Sequence, residues 1–257
     1  MRRFLPVRRA VAALLTAASV LSALPAPAVE APPASGLLSW RPVGHGYAHI
    51  TLPDSASPAV HEDHALPVVF VLPDEGWDAR RVWPYLDHLS LFGVTVVELW
   101  PDDDGRFGLA EAQAAIASAA EEFGLDPSRV ALLGFGKGGR LALALAGPDR
   151  PVAALYPVCD GALVPDPGAR VMVLHPDEAS EARACAALVA GRPGARSGRA
   201  SAGAGHGWDA VIERNSGRIL LPRPDGSNSG AGRLPAQPDR SATFRAARAV
   251  SDFLLSE

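Results

Sequence analysis

Cysteine and lysine are nearly absent from this chain of 257 residues: it has two cysteines, Cys159 and Cys185, and Lys137 is its only lysine. Two cysteines exclude a disulfide-dense scaffold and a four-cysteine zinc site. Aromatic residues make up 6% and the net charge is −4, with no basic run beyond the first ten residues, which excludes an electrostatic grip on nucleic acid. No apolar run approaches the roughly 20 residues needed to span a bilayer; the longest, from Ala10 to about Leu24, is alanine-rich and is followed by Pro25 and Pro27. What remains is ordinary: 48% hydrophobic and 20% charged residues, the composition of a folded globular chain of one generous domain.

The first 28 residues read as an address. A basic start (Arg2, Arg3, Arg8, Arg9), an apolar stretch and the small-x-small site Ala26-Pro27-Ala28 form a secretory signal peptide over residues 1–28. Its removal takes four arginines and no acid, so the charge falls from −4 to −8, and the expected location is periplasmic or secreted. A Pro/Ala linker follows over 29–39, then a single domain over 40–257 with no membrane span. An oxidising compartment permits a Cys159–Cys185 disulfide, worth about 3 kcal/mol by loop entropy; two buried thiols are the alternative.

Along the domain, short β-branched runs alternate with helical stretches. An opening strand or hairpin lies over 40–52, and strands are expected at 67–72, 94–100, 129–134, 151–156 and 170–175, with a weak one within 195–202. Helices are expected at 79–91, 109–123, 140–146, 179–190 and 242–255. This spacing predicts an α/β fold: a mostly parallel, doubly wound sheet with helices on both faces. Ligands of such sheets bind beyond the carboxyl ends of the strands, which directs attention to the loops there.

One of those loops is packed with glycine. In RVALLG-FGKGG-RLALALA, Gly134, Gly136 and Gly139 match the dinucleotide fingerprint G-x-G-x-x-G, with Asp160 further on as a ribose ligand, which would make the chain an oxidoreductase. The same turn also matches a nucleophile elbow, G-x-Nuc-x-G-G, on which a strained strand-to-helix turn presents an attacking side chain. In that reading Gly136 stands at the nucleophile position and offers none. The order downstream, an acid loop and then His206 between glycines in AGAGHGWD, is the order of α/β-hydrolases.

These residues carry a resemblance. GFGKGG (134–139), LYPVC (155–159), VMVLHPDEASEARAC (171–185), AGAGHGWD (202–209) and ARAVSDFLL (247–255) are similar to the dienelactone hydrolase family, over about residues 66–255. The resemblance implies an α/β-hydrolase fold and a triad in which a histidine activates a cysteine or serine and an aspartate orients the histidine. Carried over, the base is His206, the nucleophile position is Gly136 and the acid position is Ala179, with Asp177 as a displaced acid.

The oxyanion hole would use the Lys137 N–H and the loop of Asp74 and Glu75; Arg106 and Trp208 join them as ligand-binding candidates. Lys137 could alternatively serve as a nucleophile if desolvated. His61-Glu62-Asp63-His64 is a proline-bounded turn rather than a metal site, and no cofactor is implied. The expected function is an exported relative of ester and lactone hydrolases, catalytically impaired, that binds a small ester, lactone or carboxylate. Two alternatives stand beside it: an active hydrolase using His206 with a displaced nucleophile or activated water, and the dinucleotide-binding oxidoreductase.

Overall fold

The computed structural model describes residues 39–44, 46–53, 68–74, 78–101, 107–126, 129–211, 219–223 and 233–256. The expected signal peptide, most of the linker, the 61–64 turn, Glu75 and Arg106 lie outside them. Hydrophobic alternation sets the strands. In β3 (Val68–Leu72), Val68, Phe70 and Leu72 face one core, while Val69 and Val71 face the other. In β5 (Val130–Phe135), Val130 and Leu132 divide in the same way from Ala131, Leu133 and Phe135. Runs apolar at every position are therefore strands buried on both faces.

The eight-stranded sheet has the order β1-β2-β4-β3-β5-β6-β7-β8. The hairpin of β1 (Ser39–Pro42) and β2 (Gly46–Thr51) joins β4 (Thr95–Pro101) antiparallel, and all pairings from β4 onward are parallel. The far side is built from β6 (Val152–Leu155), β7 (Val171–His175) and β8 (Ala195–Arg199). Helices α1 (Trp83–Leu91) and α5 (Arg240–Leu254) cover one face; α2 (Leu109–Glu122), α3 (Lys137–Ala144) and α4 (Ala179–Val189) cover the other. The described residues form one compact unit.

Two helix starts are visible in the sequence once their caps are known. The Asp239 carboxylate accepts the Ala242 N–H at 3.0 Å, and the Glu111 carboxylate accepts the Gly108 N–H at 3.1 Å, so each relieves an end donor that the helix itself leaves unpaired. Helix α3 starts three residues before the expected position. Gly138 and Gly139 belong to it because the helix lies hard against the sheet: a Cβ on Gly138 would stand 2.2 Å from the Leu72 carbonyl oxygen. Glycine there lowers helix propensity and permits the close approach, and packing wins. A small antiparallel pair, β9 (Leu220–Pro222) with β10 (Arg233–Pro235), precedes α5.

The chain runs from β3 outward to β4 and returns to β5 on the other side of β3. The carboxyl ends of β3 and β5 thus flank a topological switch point, the place where open α/β sheets form their binding crevice. Asp74 follows the first of these strands and Gly136 the second.

Candidate functional site

Gly136 joins β5 to α3 with φ +50° and ψ −115°. Side-chain-bearing residues rarely occupy this conformation, and it costs about 1–3 kcal/mol where they do. A strained strand-to-helix turn is therefore present at the end of β5, and the residue at its tip is a glycine.

The space above the turn is not open. A Cβ on Gly136 would stand 2.3 Å from Asp74 Oδ1, 2.4 Å from its Cγ and 2.5 Å from Oδ2. The fully buried Asp74 carboxylate fills the volume that a side chain on Gly136 would take. Its Oδ1 accepts the Lys137 backbone N–H at 3.1 Å, and its Oδ2 accepts from Arg81 Nη1 at 3.4 Å. The N–H expected to serve as an oxyanion donor is thus engaged by a carboxylate of the same chain.

Arg81 is the centre of what lies behind. The residue is 1% exposed; its Nε donates to Asp209 Oδ1 at 3.2 Å, and its Nη2 donates to the Tyr156 hydroxyl. Tyr156 in turn donates to Asp209 at 2.9 Å, Tyr85 donates to Asp209 Oδ2 at 3.5 Å, and Trp208 Nε1 donates to the Tyr85 hydroxyl at 3.3 Å. Burial opposes the Arg81 cation, but the Tyr156 oxygen and the two carboxylates outweigh it and raise its pKa, so it stays charged. Burial raises the pKa of Asp209 despite Arg81 and the Tyr156 hydroxyl. A buried ion cluster of this kind is costly to desolvate and costlier to break, because removing one partner strands the others.

His206 sits beside this cluster, with its ring 5.0 Å from that of Tyr156. Its loop is pinned to the approach of α5: the His206 carbonyl accepts from the Gln237 N–H and the Trp208 carbonyl from the Asp239 N–H. Gly207, at φ +60°, makes the turn that follows. Burial first, then the Arg81 and Arg223 charges, lower the His206 pKa from 6.5 to about 4, so the imidazole is neutral at physiological pH. Its buried Nε2 has no hydrogen-bond partner among the described residues.

The other expected residues are dispersed. Asp177 is exposed; it pairs with Arg199 at 3.0 Å and accepts the Gly203 N–H at 2.7 Å, and these contacts lower its pKa, the backbone bond most. Ala179 is the exposed first residue of α4. Lys137 is half-buried, and its backbone rather than its ammonium meets Asp74. Cys159 and Cys185 form a disulfide, beside which Glu181 accepts the Cys159 N–H at 2.8 Å.

Trp208 walls a cavity of about 480 Å³ between the start of α1 and the start of α5, together with Pro84, Val211, Phe244, Arg80 and Arg240. Sequence reasoning missed Arg81, Tyr156, Tyr85 and Asp209. Only Asp209 had a local signal, as an acid three residues after His206.

The strand order, the elbow on β5 and the histidine loop beyond β8 define an α/β-hydrolase fold, of the kind seen in dienelactone hydrolases. Among solved structures, the chain is similar to a candidate dienelactone hydrolase from Klebsiella pneumoniae subsp. pneumoniae, at 15% identity and TM-score 0.57, over 86% of this chain and 99% of that one. It is also similar to a dienelactone hydrolase from Anabaena variabilis, at 12% identity and TM-score 0.54, over 86% of this chain and 96% of that one. At these identities the likeness is one of fold. No family model matches the chain, and no curated protein does.

Proposed function

We propose that this chain is an exported protein of the dienelactone hydrolase-like fold, related to ester and lactone hydrolases, whose hydrolytic chemistry is impaired and whose role is to bind a small ester, lactone or carboxylate. The observation that carries the reading is Gly136: the elbow backbone is in place, with no side chain on it and a carboxylate in the vacated volume. Fold does not carry activity without its site. Export is supported by the signal-like first 28 residues and agrees with the disulfide; no helix among the described residues is long and apolar enough to cross a membrane.

The ligand volume is the cavity beside Trp208, of a size that suits a small molecule, with apolar walls and Arg240 at its margin for a carboxylate; Arg80, also at the margin, is ion-paired with Asp78, and Asp209 and Asp239 line the same cavity. A second reading, a working hydrolase, is favoured by one feature: a neutral His206 whose Nε2 has no partner among the described residues has the protonation state of a general base. The dinucleotide reading is not retained, because the first N–H of α3, where a pyrophosphate would seat, is held by Asp74.

Hydrolysis of a short-chain chromogenic ester by the mature protein, beside His206→Ala, separates the two readings. Impaired chemistry predicts a weak rate that is the same in both proteins. A rate that disappears with His206 overturns it in favour of a working enzyme.

A further inference from the structure

Asp74 makes contacts that a bound substrate would make. In acyl-transfer sites of this architecture, the backbone N–H after the nucleophile stabilises a negatively charged oxygen. Here that N–H, of Lys137, donates to Asp74 Oδ1, and a carboxylate oxygen is an anionic acceptor of similar size. Arg81 supplies a counter-charge at 3.4 Å and is itself held in place by Asp209 and Tyr156, all buried. Gly136 contributes the space, since any Cβ there would overlap all three atoms of the carboxylate group. A donor, a fixed cation and a matching void make a built pocket for one small carboxylate.

We infer that the former reaction centre is a carboxylate-binding pocket whose occupant belongs to the chain: the Asp74 side chain is a tethered ligand, and it closes the centre to external carboxylates. The inference rests on the reading of the elbow as catalytically vacant. It deepens that reading by assigning the pocket's ligand class and by sending any external ligand of the native protein to the cavity beside Trp208. No covalent step is involved. Tethering removes the entropic cost of association, so a free acid at ordinary concentration does not displace Asp74.

The test is chemical rescue in the full mature chain. Asp74→Gly removes the tethered carboxylate and leaves Arg81 and the Lys137 N–H facing a void. Its thermal midpoint is measured against increasing sodium acetate and sodium formate, with sodium chloride at equal ionic strength as the reference and the wild type beside it. The expected result is a midpoint below wild type that climbs saturably with acetate or formate, by about 5–10 °C at a hundredfold excess over Kd. Acetate that seats in the cavity beside Trp208 raises both midpoints alike, so the pocket is read from the excess rise of Asp74→Gly over the wild type.

Equal responses to acetate and chloride in Asp74→Gly overturn the inference, as does an acetate-specific rise of the same size in the wild type. If Asp74→Gly does not fold in buffer, it is refolded in formate and in chloride. Recovery in formate alone supports the tethered-ligand assignment, and recovery in neither or equally in both overturns it. The ester assay on the wild type reads the vacancy of the elbow separately, so failure of one conclusion is not mistaken for failure of the other.

Discussion

The imidazole of His206 should make the protein acid-sensitive by a calculable amount. Its neighbours are the Tyr156 ring and, as charges, the Arg81 and Arg223 guanidiniums, with burial as the largest influence. All but the ring oppose protonation. An unfolded histidine titrates near 6.5, whereas the folded one titrates at about 4.

As pH falls from 7, the unfolded chain therefore binds a proton before the native one does, and stability declines. The loss begins near pH 6.5 and is complete below pH 4. At about 1.4 kcal/mol per pH unit, the gap between the two values amounts to about 3 kcal/mol. That is a large fraction of the about 5–15 kcal/mol that holds a typical domain together.

The assay is urea unfolding of the wild type and His206→Gln across pH 7.5 to 4. Other titrating groups, Asp209 and Asp177 among them, are common to both proteins and cancel in the comparison. The wild type is expected to lose about 3 kcal/mol more than the variant over this range. Parallel pH profiles would refute both the neutrality of the imidazole and the account of its burial.

Two further outcomes follow from the site and its support. Gly136→Ala should destabilise by about 1–3 kcal/mol from backbone strain alone, plus the contact with Asp74. In an Asp74→Gly background that contact is gone, so the cost should fall by at least about 1 kcal/mol; equal costs in a double-mutant cycle would show that the carboxylate does not fill the elbow. Replacing Cys159 and Cys185 together by alanine should remove about 3 kcal/mol, measured by urea unfolding. The unreduced, denatured wild type should titrate no free thiol, and two thiols per chain would place the pair in the reduced state.

Much of the architecture was written along the chain. PVVFVL, RVALLG and RVMVLH are apolar at consecutive positions because both faces of their strands are buried, and each is followed by a turn and a helical stretch. The strand-to-helix turn at Gly136 was legible for a local reason: its glycines answer to a backbone conformation and to the nearness of β3, both decided within a few residues. His206 was legible in the same way, between glycines. The start of α3 was misplaced because propensity disfavours Gly138 and Gly139 in a helix, and the packing that overrules it comes from a strand more than 60 residues earlier.

Local sequence by itself determined most of the strands and helices and the glycine-rich turn at the end of β5. Only the tertiary structure decided that the Asp74 carboxylate fills the space above Gly136. Arg81 reads as a helix-entry arginine in DARRVW, Asp74 as part of an oxyanion loop after a strand rather than as a carboxylate that fills the turn, and Tyr156 as a strand-end tyrosine. They meet because parallel strands bring their carboxyl ends together at one edge, where segments 128 residues apart come within hydrogen-bond distance. Charges at that separation leave no periodicity or spacing in the sequence. Their pairing is dictated by the cost of burying an ion alone, which arises only once the fold has taken them out of water.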